Sequence, residues 1–258
     1  MRIVQFVDVD GKRRVGIVRD AETVDMLAGV QTVYGLAQQA IQQQMTLAAF
    51  LQQQAVTQSV PYAALVEEGR LRLPLDHPDP AHMLITGTGL THLGSADTRD
   101  RMHKAQPEAP TDSMKMFQIG LAGGKPTPGQ VGAQPEWFYK GDGRWVAPPY
   151  GSLVSPAFVL DGGEEPEIVG LYLIGLDGVP YRVGFALGNE FSDHVMERQN
   201  YLYLAHSKLR PCSFGPELLL GELPRDVRGV SRILRDGHVL WEKPFRSGEA
   251  NMSHTIAN

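Results

Sequence analysis

The chain has little of several things that would direct a reading elsewhere. It has one cysteine, Cys212, so no disulfide can close within it, and a reducing, cytoplasmic setting is expected. It has no run of about 18 consecutive apolar residues, so no membrane partner is expected. Asp8 and Asp10 cut short the apolar run that begins after Arg2, which does not fit a signal peptide. Basic charge is not in excess: 24 Lys and Arg stand against 29 Asp and Glu, a net charge of −5. With no basic face to meet phosphates, nucleic acid is not an expected partner. No His/Cys cluster has zinc-ligand spacing, and no Gly-Lys-Ser/Thr follows the glycines near residue 90. No nucleophile elbow or Ser-His-Asp arrangement is visible, which disfavours covalent serine or cysteine catalysis.

What is present is an ordinary globular composition, 42% hydrophobic and 21% charged over 258 residues. Residues 2–9 and 12–18 alternate around Asp10-Gly11, a β-hairpin signal, because that pair tolerates the positive φ of a tight turn. Residues 32–54 are rich in Gln, Ala and Leu at helical spacing, and 70–73 read as a short strand. Pro74, Pro78 and Pro80 mark a linker, giving a small β-rich N-terminal domain over 1–80 and a second domain over 81–258. That second part opens with an apolar strand running into a hydroxyl-rich glycine loop containing Thr91, His92 and Ser95. His92 fits either a functional group at a strand end or a histidine satisfied by the backbone. Residues 96–134 show no clean period and read as a lid. Lys140, after the aromatic run 137–139, is either a cation aimed into a pocket or a surface lysine. Further on, Asp177-Gly178 and Asp236-Gly237 mark turns, Ser192 offers a helix cap for a helix through about Ala205, and Lys208 and Arg210 follow it.

The chain is organised around Glu165-Pro166-Glu167, at the mouth of an apolar strand that should be central. Residues i and i+2 of a strand face the same way, so both carboxylates aim at one spot, and Glu164 aims elsewhere. Glu190, at the end of the next strand, is a third carboxylate in a suggestive place. An all-oxygen set suits a hard divalent cation such as Mg²⁺, whereas exposed acids explain most such pairs.

These segments, in order, resemble the fumarylacetoacetate hydrolase superfamily. The resemblance rests on Glu165-Pro166-Glu167-Ile168-Val169, residues 184–190 ending in Asn189-Glu190, Lys208 before Ser213-Phe214-Gly215-Pro216, residues 135–140, and the Met252 region. It implies an α+β fold, a mixed β-roll following the small N-terminal domain, and a homodimer. It implies Mg²⁺, with Mn²⁺ or Ca²⁺ able to substitute, held by Glu165, Glu167 and Glu190, and a 2-keto acid as substrate. Lys208 matches the lysine acting at that centre. The loop at Leu90-Thr91-His92-Leu93-Gly94-Ser95 lacks the His-Glu pair with which hydrolytic members activate water. In that respect it is similar to the branch that dehydrates 2-keto-3-deoxy sugar acids in pentose degradation. On this resemblance His92 is the candidate acid, and Thr91, Ser95 and Lys140 are candidate substrate contacts. Hydrolysis of an acylpyruvate or 2,4-diketo acid, decarboxylation of oxaloacetate, and non-catalytic keto-acid binding are the alternatives. A stretch that normally follows the Met252 region in the family is missing before Asn258, so an incomplete C-terminal end is expected.

Overall fold

The structure, a computed structural model, describes residues 1–94 and 111–258. The chain opens with the expected hairpin: β1 (Arg2–Val7) pairs antiparallel with β2 (Arg13–Val18). The Asp8 carboxylate caps the turn by accepting from the amides of Asp10 and Lys12 at 3.0 and 2.9 Å, and Gly11 supplies the positive φ of 77°. Strands β3 (Thr23–Leu27) and β4 (Val56–Pro61) extend the meander. The glutamine-rich stretch between them is two helices rather than one, α1 (Val33–Gln42) and α2 (Leu47–Leu51). Gln44 takes a left-handed φ of 54° and breaks the ladder, and Thr46 caps the restart by accepting from Ala49 N. Both helices bury their apolar faces, Leu36, Ala40, Phe50 and Leu51, in a core shared with Leu171 and Leu173.

Helix α3 (Tyr62–Glu67) leads to β5 (Leu71–Arg72), which pairs with β1. Strands β6 (Leu84–Gly89) and β7 (Glu136–Asp142) form a separate antiparallel ribbon, with helix α4 (Asp112–Gly123) between them in sequence. The elements that follow are β8 (Val146–Ala147), β9 (Pro166–Ile174), β10 (Pro180–Asn189), α5 (His194–Gln199), α6 (Leu204–Lys208), β11 (Cys212–Phe214) and β12 (Glu217–Leu219). They are followed by the hairpin of β13 (Val227–Arg235) and β14 (His238–Ser247), which turns at Asp236 and Gly237, both with positive φ. Ten strands make one sheet in the order β4-β3-β2-β1-β12-β10-β11-β8, with β5 on β1 and β9 on β10. The β8–β11 pair is parallel among otherwise antiparallel neighbours. The α+β expectation, with a large mixed sheet, is borne out. Through the β1–β12 ladder the N-terminal strands belong to the same sheet as β10.

Three expectations need correction. Strand β9 is not central: among the described residues it pairs only with β10. One face buries Leu171 and Leu173, while Tyr172 and Ile174 on the other are 48% and 62% exposed, so its apolar run serves two environments. Proline at the first position is consistent with an edge, since it has no amide to donate. Second, residues 112–123, read as part of a lid, form a helix capped by Thr111, which accepts from Met114 N. Of that expectation, the part over 96–110 lies outside the described residues. Third, Asp193 rather than Ser192 caps α5, accepting from Met196 N at 2.8 Å. Ser192 is engaged instead in a backbone bridge with Gly163. The predicted continuous helix then breaks at Asn200, which is extended, before α6.

Candidate metal centre

The register between β9 and β10 builds the centre. Gly188 lies opposite Glu167 and Asn189 opposite Pro166, so the start of β9 and the end of β10 coincide in space. The ladder continues one step further: Glu190 N donates to Glu165 O at 2.9 Å, and Gly163 and Ser192 exchange two backbone bonds of 2.8 and 2.9 Å. Carboxylate oxygens of Glu165, Glu167 and Glu190 thereby come within 4.8 Å of one another. Glu164 turns away and pairs with Asn189.

Lys208, at the end of α6, points into this cluster. Its Nζ donates to both Glu165 oxygens at 2.7 Å and lies 3.3 Å from Glu190. Lys140 Nζ is buried, donates to the carbonyls of Phe191 and Lys208 at 2.8 and 3.0 Å, and lies 3.5 Å from Glu190. It is therefore an interior cation rather than a surface one. His92 Nε2 is 3.2 Å from Glu167 Oε2. Thr91 is buried beside it, its carbonyl accepting from Ser253 N at 2.8 Å. Ser95 lies outside the described residues. Glu167, Glu190, His92, Thr91 and Lys140 all face a cavity of about 1150 Å³, whereas Glu165 and Lys208 are not part of its lining.

The charges are unevenly held. Burial works against ionising Glu165, but the hydrogen bond from His194 and the ammonium of Lys208 outweigh it and hold its pKa well below the usual carboxylate range. Burial and the neighbouring Glu165 charge push the Glu190 pKa upward. Burial alone would lower the Lys208 pKa, yet Glu165 and Glu190 raise it on balance, and they keep the amine protonated. Burial lowers the pKa of Lys140, and the Glu190 charge only partly opposes it. A divalent cation fits this arrangement. Oxygens around Mg²⁺ at about 2.0–2.1 Å stand roughly 3–4.2 Å from each other, which the cluster can match. Such an ion would also remove the like-charge conflict that burial makes costly between Glu165 and Glu190.

Sequence reasoning missed His194. It occupies the first position of α5, and its Nε2 lies 2.7 Å from Glu165 Oε1. The one available signal was the Gly162-Gly163 pair just before the glutamates, since a Cβ built on Gly163 would overlap the imidazole.

The sequence matches no protein-family model and no curated protein. Solved structures do match. A crystal form of 2-keto-3-deoxyarabinonate dehydratase superposes with a TM-score of 0.68 at 17% identity, covering 100% of this chain and 80% of that one. The chain shares the fold of that dehydratase. The 2-keto-3-deoxy-D-arabinonate dehydratase complexed with magnesium and 2,5-dioxopentanoate superposes at 0.65 and 17% identity, over 100% and 80% of the two chains. A 5-carboxymethyl-2-hydroxymuconate delta-isomerase from Mycobacterium smegmatis reaches 0.51 at 15% identity, over 99% and 79%. The fold implied by the resemblance to the fumarylacetoacetate hydrolase superfamily is the fold observed.

Proposed function

We propose that the protein is a Mg²⁺-dependent dehydratase of a 2-keto-3-deoxy sugar acid, converting a 2-keto-3-deoxy-pentonate to 2-oxoglutarate semialdehyde. The observation that carries this reading is the convergence of Glu165, Glu167 and Glu190 within 4.8 Å, with Lys208 on the same cluster. Fold similarity to a dehydratase holding magnesium and a 2-keto acid supports it. The three glutamates would hold the cation, which when bound acts as a Lewis acid for the 2-keto-carboxylate and makes the C3 proton acidic.

The chain's own residues account for the rest. Lys208, whose Nζ lies 3.3 Å from the cavity-lining Glu190, would take the proton from C3 as the base, once a bound cation offsets the charges that hold its amine protonated. His92 faces the cavity 3.2 Å from Glu167, which raises its pKa through that hydrogen bond, so it is held as a proton donor for the departing C4 hydroxyl. Loss of the C3 proton and the C4 hydroxyl together removes one water. The resulting allylic alcohol tautomerises to the aldehyde, so atoms balance. Thr91 would contact the substrate hydroxyls from the cavity wall, and Lys140 would add positive potential for the carboxylate. The same reading takes the chain as a homodimer, for which exposed Val230, Val239 and Trp241 on the β13–β14 hairpin offer apolar surface.

Incubation with Mg²⁺ and 2-keto-3-deoxy-pentonate is expected to yield the semialdehyde, and Lys208→Met to lower the rate by at least about 100-fold, as removal of a general base does. No semialdehyde from the wild-type protein would sink the dehydratase reading. A second reading, hydrolysis of an acylpyruvate or 2,4-diketo acid, is favoured by one observation. Much of the cavity wall is apolar, with Met83, Leu84, Trp137, Tyr172 and Ile174 lining it. Release of pyruvate from such a substrate would favour that reading.

A further inference from the structure

We infer that His194 is a positioning residue that fixes the Glu165 carboxylate for the cation, and that Gly163 is the seat that holds its ring. This inference rests on the metal reading of the three glutamates. Among the described residues, Glu165 meets both an ammonium and a ring nitrogen, whereas of such groups Glu190 faces only the ammoniums of Lys208 and Lys140, at 3.3 and 3.5 Å. Lys208 reaches both its oxygens, and His194 Nε2 reaches Oε1 at 2.7 Å. A carboxylate on a strand end keeps rotational freedom unless a directional donor removes it. The ammonium of Lys208 is a point charge with three rotatable donors, whereas an imidazole N–H is rigid and defines one direction.

The ring itself is held on three sides. Asp193 caps α5 and so sets the backbone from which His194 projects. Asp161 Oδ2 stands 3.8 Å from Nδ1 on the opposite edge. Gly163 backs the ring so closely that a Cβ there would overlap Nδ1 and Cε1. Gly163 is not among the residues with positive φ, so the backbone does not require glycine, and the ring is what excludes a side chain. The two backbone bonds between Gly163 and Ser192 lock that wall to the residue before Asp193. Asp161, Gly163, Glu165 and His194 thus form one unit around the outer face of the candidate metal centre. Partners of this kind, which orient a ligand without touching the ion, typically contribute about 10–100-fold in metal affinity.

The test is Mn²⁺ binding followed by electron paramagnetic resonance, with thermal unfolding in EDTA as the check on folding. His194→Ala is expected to weaken binding about 10–100-fold. His194→Gln, which offers an amide N–H in a similar place, is expected to recover most of the loss. Gly163→Ala should weaken binding in the wild-type background but have no further effect in His194→Ala, where the ring it displaces is gone. Binding unchanged in His194→Ala overturns the positioning role alone. An equal loss from Gly163→Ala in both backgrounds overturns the seat. Wild-type protein that binds no Mn²⁺ overturns the metal reading and this inference together.

Discussion

Glu190→Gln is expected to abolish the response of the protein to Mg²⁺ while leaving its fold intact. Burial and the Glu165 charge already favour the protonated form of Glu190 without a cation. A neutral amide of the same shape therefore replaces a carboxyl whose ionisation the site already opposes, and the melting temperature in EDTA should move little. The cation is another matter, because an amide oxygen carries no charge to offer it. Wild-type protein at a Mg²⁺ concentration 100 times its Kd gains about 2.7 kcal/mol of stability, and the variant should gain almost none. Loss of Lewis-acid stabilisation worth several kcal/mol lowers kcat/KM by about 10³-fold. Differential scanning fluorimetry with and without Mg²⁺, paired with a turnover assay, checks both halves. A Mg²⁺-induced shift in Glu190→Gln equal to that of wild type would remove Glu190 from the ligand set.

Asp193→Ala should cause the largest loss of stability. Asp193 is fully buried, and its carboxylate accepts from Leu160 N and Met196 N at 2.8 Å and from Arg210 Nη2 at 3.0 Å. Arg210, 1% exposed, also donates to the carbonyls of His206 and Leu209 and lies over the Phe158 ring. Removing the aspartate leaves a buried guanidinium without its counter-charge, at a cost of about 3–5 kcal/mol. For a chain of this size, at about 2 °C per kcal/mol, that lowers the melting temperature by roughly 6–10 °C. A fall under about 2 °C would show that the pair is nearly neutral in net effect.

The same residue sets a pH dependence. Burial would raise the pKa of Asp193, but the bonds from Leu160, Met196 and Arg210 outweigh it, and the folded value lies below the ordinary one. A depressed folded pKa means that stability is fully present above the unfolded value of about 3.9 and is lost as pH falls through the folded pKa. Wild-type protein should therefore lose more stability below pH 4 than Asp193→Ala, whose acid limb is flatter. The functional link is positional. Asp193 caps the helix that carries His194, and its own amide donates to Ser207 O, next to Lys208.

How much of this was legible in the sequence follows from the range of the forces involved. The Glu165–Glu167 pair was readable because strand period is local, and Glu190 because it ends the adjoining strand. The three Asp-Gly turns were readable because their chemistry lies within four residues. The helical spacing of Thr32–Gln54 was readable, but not its division in two, because that spacing barely registers the left-handed Gln44. Helix Asp112–Gly123 was hidden by its glycines and scattered methionines, with only Ser113, Phe117 and Gly120 buried. The edge position of β9 and the His194–Glu165 bond depend on elements distant in sequence, and no local pattern encodes them. Lys140 stood between two readings until the fold supplied the carbonyls of Phe191 and Lys208.

In the proposed function, three glutamates from two strand ends hold one divalent cation. Crystals soaked in Mn²⁺ with oxalate, a mimic of a 2-keto-carboxylate, test it directly through anomalous difference density. A single peak bonded to carboxylate oxygens of Glu165, Glu167 and Glu190, with oxalate completing its coordination from the cavity side, is the expected result. Density elsewhere, or none between these residues at saturating Mn²⁺, would contradict it.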